Sequence, residues 1–243
     1  MTLPSDAFRH VASRPHEPLR TFHPRRSPLS RDRQDALAQL WPTLGFSVHD
    51  EAAPYPSSDG LLDPVALFGR VAPLVVEIGS GMGETTAVMA AADTGRDYLA
   101  IEAHLPGIAH LLGLVDTLGL TNVRVAHGDA LDLMRRAMAP DSVDAVHVYF
   151  PDPWPKARHH KRRIIQPAHV ELLRSRLRIG GTLHCATDWL EYAEQMRDVL
   201  AADPGLSSSG LVPRPDHRPV TKFEQRGLDL GHPVHDVIAR RTR

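Results

Sequence analysis

The segment 150–163, FPDPWPKARHHKRR, concentrates three kinds of chemistry in one short stretch. Asp152 is a lone carboxylate between Pro151 and Pro153. Trp154 is a flat aromatic. Lys156, Arg158, His159, His160, Lys161, Arg162 and Arg163 follow with no acid among them. A carboxylate accepts hydrogen bonds from the ring N–H and amino groups of a purine, and a cationic run tracks a phosphate backbone. Each proline fixes φ and lowers the entropy lost when the segment orders. Together these residues would set a purine base of an RNA beside a second ligand held elsewhere in the chain. The alternatives are plainer: Asp152 as a turn residue, and Trp154 packed in its own loop rather than against a base.

A second group of residues would hold that ligand. An apolar run ends in Glu77, and Gly79, Gly81 and Gly83 follow at alternate positions. Glycines after a strand let a backbone pass close to a ligand. Glu84 stands where a dinucleotide fingerprint needs its third glycine, and no Lys-Ser/Thr pair makes a phosphate loop. Glu102 lies about twenty residues beyond the glycines, where a carboxylate accepts from vicinal ribose hydroxyls and repels a ribose phosphate. Asp129 is placed to meet an adenine edge or its flanking amide, and is equally a helix cap. Three acids in one crevice suit a neutral adenosine with a positively charged tail, which is the composition of S-adenosylmethionine.

The elements that must position these groups alternate. Strands are expected at 74–76, 98–101, 123–126, 143–149 and 182–186. Helices are expected at 84–92 and 105–118, after Asp129, after Gln166-Pro167, and from Asp188 to about residue 200. Strands that are nearly continuously apolar and alternate with helices predict a parallel sheet covered on both faces. Two more strands, 220–223 and 234–239, are expected as an antiparallel addition at the edge, with 203–217 a loop. The fold class is therefore α/β, a three-layer sandwich around a seven-stranded, mostly parallel Rossmann-like sheet with an antiparallel last strand. Upstream, residues 1–30 read as a mobile basic arm. A short helix at 31–40 ends at Trp41-Pro42, and 45–60 reads as a linker. The domain proper is placed at 61–243, after an N-terminal arm and helix at 1–60.

Composition narrows the class further. The chain of 243 residues is 42% hydrophobic and 23% charged, with a net charge of -1. This is ordinary for a soluble globular protein and argues against a globally basic binder. The charge is local instead: residues 1–33 hold seven arginines against three acids. No apolar run suggests a membrane span or secretory signal. The single cysteine, Cys185, reads as a buried, inert thiol and fits a reducing, cytoplasmic compartment. His159 and His160 have no spaced partner set, so no metal is expected, and the other histidines read as surface residues.

The order EIGSGMG, IEAH, GDA, FPDPWPKARHHKRR, ATDW and TKFEQRG resembles the bacterial tRNA (guanine-N7)-methyltransferases over about 74–240. The glycine turn is common to many methyltransferases; the segment from Phe150 and the TKFE run are far more specific. RTFHPRR at 20–26 is weakly similar to the family's basic N-terminal segment. The resemblance implies methyl transfer from S-adenosylmethionine to guanine N7 in the variable loop of tRNA, by a monomer or homodimer without metal. It implies cofactor contacts from Glu77, Gly79, Gly81, Glu102, Asp129 and Asp152, with Asp152 also catalytic. Substrate contacts fall to Lys156, Asp188, Thr221, Lys222, Phe223 and Glu224, and RNA tracking to Arg158, His159, Lys161, Arg162 and Arg163. Pro155 departs from the histidine of many members. The competing readings are a methyltransferase for another RNA or for a small molecule, a nicotinamide oxidoreductase, and a non-catalytic tRNA-binding protein.

Overall fold

The computed structural model describes residues 21–22, 28–49, 60–229, 231 and 233–243. Most of the arm at 1–30, including nearly all of RTFHPRR, lies outside the described residues, as do 50–59 of the expected linker. Eight strands form one sheet. They are β1 (Gly45–Ser47), β2 (Leu74–Ile78), β3 (Asp97–Glu102), β4 (Val123–His127), β5 (Val143–Tyr149), β6 (Leu177–Thr187), β7 (Leu206–Val212) and β8 (His235–Arg241). The spatial order is β1-β4-β3-β2-β5-β6-β8-β7. The first six strands are parallel, and β8 runs antiparallel between β6 and β7.

The helices are α1 (Arg31–Leu44), α2 (Pro64–Phe68), α3 (Glu84–Ala92), α4 (Leu105–Thr117), α5 (Ala130–Arg136), α6 (Pro167–Arg176), α7 (Leu190–Ala202) and α8 (Lys222–Asp229). Alternating residues of the central strands feed two cores. Val76, Ile78, Leu99 and Ile101 pack on one face; Val75, Ala100, Val125 and Ala145 pack on the other. That is the period of two expected of a strand buried on both sides. Each large aliphatic side chain removed from water contributes about 1.5–3 kcal/mol. The chain steps from β2 to β3 and β4 on one side, then to β5 and β6 on the other. The carboxyl ends of β2 and β5 therefore flank the switch point at which doubly wound sheets bind ligands.

The structure departs from several expectations. Helix α1 continues through Pro42 to Leu44, because a proline this near the carboxyl end sacrifices little ladder and Trp41 is buried against the domain. The presumed linker opens with β1, which pairs with β4 and buries Phe46. The stretch 203–217 contains β7, a Ser-rich edge strand with a register shift between Ser208 and Leu211. An edge strand needs few apolar residues, so its composition reads as a loop. The stretch 220–223 is not a strand. Thr221 accepts from the Glu224 amide through Oγ1 (2.9 Å) and starts α8. The Thr-x-x-Glu cap outweighs the strand propensity of Val220 and Phe223. Cys185 is buried, and burial pushes its thiol pKa far up, as an inert core thiol requires. Among the described residues, no helix is long and apolar enough to cross a membrane.

Candidate active site at the carboxyl edge of the sheet

The glycine turn between β2 and α3 is held from three sides. The Gly79 amide donates to the Ile101 carbonyl (2.8 Å), and the Gly81 amide donates to Glu102 Oε2 (2.7 Å). His110 Nδ1 lies 2.7 Å from the Met82 carbonyl. Gly79 and Gly81 have φ of 75° and 58°, and a Cβ at either would meet nothing within 4 Å, so the turn faces open space. Behind it, a Cβ on Gly107 would lie 1.9 Å from the Gly81 carbonyl oxygen; α4 can close on the turn only as glycine.

The acids of this crevice differ in character. Glu102 accepts the amides of Gly81, Ala103 and His104, all at 2.7 Å, and so fixes the turn at the tip of β3. Glu77 is buried and accepts from Thr86 Oγ1 (2.5 Å). Burial pushes its pKa up to about 7; the Thr86 hydroxyl opposes that shift and the charge of Glu102 adds to it. Asp129 caps α5, with Oδ1 accepting from Leu131 (2.8 Å) and Asp132 (3.3 Å). The cap leaves Oδ2 without a hydrogen bond among the described residues. Ser80 Oγ in the turn is likewise buried and unpaired. An open glycine cradle, an unpaired hydroxyl and carboxylates at successive strand ends fit an adenosine bearing a cationic tail, as S-adenosylmethionine does.

Register places His147 opposite Glu77, so the carboxyl ends of β5 and β2 are neighbours. Asp152 stands three residues past the end of β5, at the same carboxyl edge of the sheet. Phe150 and Trp154, on either side of it, have φ of 49° and 45°. Bulky L residues in this region carry strain of order 1–3 kcal/mol each, and such strain concentrates at functional sites. Trp154 is buried, donates from Nε1 to the Thr21 carbonyl (3.2 Å), and carries the Arg162 guanidinium 3.9 Å above its ring. It is packed between Thr21 and its own loop and does not stand open to a base.

The cationic run divides by burial. Residues 157–162 form a 3-10 turn that leaves Lys156, Arg158 and Lys161 exposed and His159, His160 and Arg162 partly covered. Arg163, expected to track RNA, instead turns inward and is 1% exposed. It donates to the Pro153 carbonyl (2.8 Å), Gln195 Oε1 (2.6 Å) and Glu191 (3.3 Å), and lies over the Tyr192 ring. Its five donors clamp the proline segment to α7, a task a solvent-facing arginine cannot perform.

Behind Asp152 lies a buried polar chain absent from the expectations. Arg218 donates to both oxygens of Asp236 (2.7 and 2.8 Å) and both of Glu224 (2.5 and 3.0 Å). Asp236 also pairs with His184 Nε2 (2.7 Å), and His184 Nδ1 meets the Tyr149 hydroxyl (3.0 Å). Burial alone would lower the Arg218 pKa; hydrogen bonds to Glu224 and Asp236 outweigh it and raise it. For Asp236, burial pulls upward but bonds from His184 and Arg218 hold it below the usual carboxylate range. His147 stacks on Tyr149 and, like His184, is buried, an exception to the surface position expected of most histidines. Burial, then the neighbouring His184 and His217, pushes His147 well below the ordinary imidazole value. The Arg218 guanidinium sits 5.8 Å from the Tyr149 ring and 5.6 Å from that of Phe150, directly under the strained turn.

Of the TKFE run, Glu224 is 2% exposed and committed to Arg218, which corrects its expected substrate contact. Thr221 is partly exposed at the start of α8. The side chains of Lys222 and Phe223 lie outside the described residues. Asp188 is partly exposed at the end of β6 and does not cap α7, whose cap position is Trp189. Among the described residues no cluster of three metal-ligating side chains occurs.

A doubly wound sheet with a glycine cradle and acids at successive strand ends defines a class of S-adenosylmethionine-dependent methyltransferases. Residues 71–237 match a family model described as "Putative methyltransferase". A 16S rRNA methyltransferase, KamB, shares the fold at a TM-score of 0.52 and 14% identity, over 72% of this chain and 90% of its own. A tRNA (guanine-N(7)-)-methyltransferase of Nitrosospira multiformis is 52% identical over 96% of this chain and 99% of its length. One of Streptomyces avermitilis is 51% identical over 93% of this chain and 76% of its length. The chain belongs to the tRNA (guanine-N7)-methyltransferase family.

Proposed function

We infer that this protein transfers the methyl group of S-adenosylmethionine to N7 of a guanine in tRNA, forming 7-methylguanosine. What supports this reading is that Asp152 follows β5, the strand beside β2 and its glycine turn, and precedes an exposed cationic turn by a few residues. S-adenosylmethionine, when bound, supplies an electrophilic methyl on a cationic sulfur. Glu77, Glu102, Asp129 and the backbone of Gly79 and Gly81 hold it. Guanine N7 carries a lone pair and no proton, so no general base is needed to activate it. The task left to the protein is alignment and tolerance of a purine that becomes cationic. Asp152 accepts from the guanine N1–H and amino group, orients the ring, and offsets the charge that develops. Asp188 and the Thr221 region contact the substrate, while Lys156, Arg158 and Lys161 meet phosphates. In this reading 61–243 carry the transfer chemistry and the basic N-terminal segment adds RNA contacts. The test is incubation of unmodified tRNA with labelled S-adenosylmethionine, then nucleoside mass analysis. Labelled 7-methylguanosine is expected; label in any other nucleoside, or in none, overturns the assignment.

A further inference from the structure

The chain has three tryptophans, and only one of them is unburied. Trp41 and Trp154 are 8% and 3% exposed, whereas Trp189 is 41% exposed and the adjoining Leu190 54%. A tryptophan that keeps this much of its surface in water leaves a flat π face open to a ligand. The backbone of Trp189 is fixed. Its amide donates to Thr187 Oγ1 (3.2 Å), and its carbonyl accepts from Tyr192 (3.0 Å) and Ala193 (2.9 Å) at the start of α7. Its indole, in contrast, has no hydrogen bond or ring contact among the described residues.

The sheet register places the backbone that carries this ring. Ala186 of β6 pairs with Tyr149 of β5, and the Phe150 amide donates to the Ala186 carbonyl (2.8 Å). Trp189 therefore stands three residues past Ala186, as Asp152 stands three past Tyr149. Both occupy the carboxyl edge of the sheet, with Asp188 between them in the chain path. Arg163 holds the proline segment against Glu191 and Gln195 of α7, whose first turn Trp189 opens. A flat apolar ring on a rigid backbone, at the same sheet edge as Asp152 and next in sequence to Asp188, has the composition of a stacking platform for an unpaired nucleobase.

The geometry points to Trp189 as a base-stacking residue of the substrate site, taking the face of an unstacked nucleobase of the RNA that enters between Asp152 and Asp188. This rests on the tRNA reading above and adds a contact to it. Aromatic stacking predicts a particular order among substitutions. Trp189→Phe keeps a π face and retains tRNA affinity within about two-fold of wild type. Trp189→Leu keeps apolar area but no π face, and Trp189→Ala keeps neither; both weaken binding by roughly five-fold or more.

The experiment measures tRNA affinity and the KM for tRNA in the full-length wild type and the three variants. S-adenosylhomocysteine affinity and circular dichroism are followed in parallel to report on the fold. The proposal is supported by weakened binding in Trp189→Leu and Trp189→Ala, retention in Trp189→Phe, and unchanged S-adenosylhomocysteine binding. Equal affinities in all four proteins overturn it, as does wild-type affinity in Trp189→Leu alone, which would mark simple apolar packing. Nucleoside analysis of the wild-type product, run alongside, tests the methyl-transfer reading separately, because it does not depend on any Trp189 variant.

Discussion

Glu224 receives a two-pronged ion pair from Arg218, at 2.5 and 3.0 Å, where neither side chain is more than 2% exposed. The pair joins the start of α8 to the end of β5, because the same guanidinium grips Asp236 and lies against Tyr149 and Phe150. Removing one member of a buried pair leaves the other charge uncompensated, which destabilises by about 3–5 kcal/mol. Arg218→Ala is therefore expected to lower the thermal midpoint by on the order of 10 °C. Arg218→Lys should fall between, since a point charge cannot bridge two carboxylates with parallel bonds. A melting curve for Arg218→Ala that overlays the wild type would show that the network holds nothing in place.

Asp152 carries the heaviest chemical assignment. Asp152→Ala is expected to abolish turnover while leaving tRNA affinity within a few-fold, because alignment of the base is lost and the phosphates are still held. Single-turnover methyl transfer and filter binding separate the two effects. Substantial turnover in the alanine variant would remove Asp152 from the catalytic role.

Glu77 links the cradle to pH. Its folded pKa is about 7 against an ordinary 4.5, with burial the main cause. Between those values Glu77 holds more protons in the folded state than in the unfolded one, so its own contribution to stability falls as pH rises through that window, by up to about 3 kcal/mol, while His147 and His217, held below the ordinary imidazole value, contribute in the opposite sense. Glu77→Gln cannot ionise. Relative to wild type its stability should gain as pH rises over the same range and exceed wild type above about pH 7, while its affinity for S-adenosylmethionine drops. Denaturant melts of both proteins at about pH 5 and about pH 8 measure the difference between the two slopes, in which the histidine contributions cancel; equal slopes in wild type and Glu77→Gln would contradict the buried, raised carboxyl.

The cradle was legible because its signals are local. Glycines at alternate positions after an apolar strand and acids at strand ends announce themselves in a few residues each, and the sheet built from 74–186 follows from the same periodicity. The buried chain of Arg218, Asp236, His184 and Tyr149 is assembled from four distant segments, so no window of sequence contains it. One trace was present: His147, Tyr149 and His184 are polar or amphipathic residues within otherwise apolar strands. His147 and Tyr149 stand two apart and so share a face, and buried polar groups need partners. The edge strands β1 and β7 were missed for the opposite reason. Short or Ser-rich, they depend on a neighbour's backbone rather than on their own side chains. The inward turn of Arg163 was hidden because five of the eight residues at 156–163 are Lys or Arg, and composition does not say which of them faces α7.

That inward turn separates two kinds of variant within one cationic run. Lys156, Arg158 and Lys161 are exposed, so replacing all three with alanine should weaken tRNA binding and flatten its salt dependence without lowering the thermal midpoint. Every phosphate that is no longer neutralised reduces the slope of log K against log salt by about 0.9 in duplex regions. Arg163→Ala should behave differently. It strips the Pro153 carbonyl, Gln195 and Glu191 of their shared donor in a buried setting, so it should destabilise the protein by about 2–4 kcal/mol and leave the salt slope of the folded fraction unchanged. Arg162 falls between, since its guanidinium is stacked on Trp154 and its removal exposes that ring. Salt titrations of tRNA binding paired with thermal melts on the two variants decide the matter. Should Arg163→Ala flatten the slope while melting like wild type, the arginine faces RNA and the clamp onto α7 is not its role.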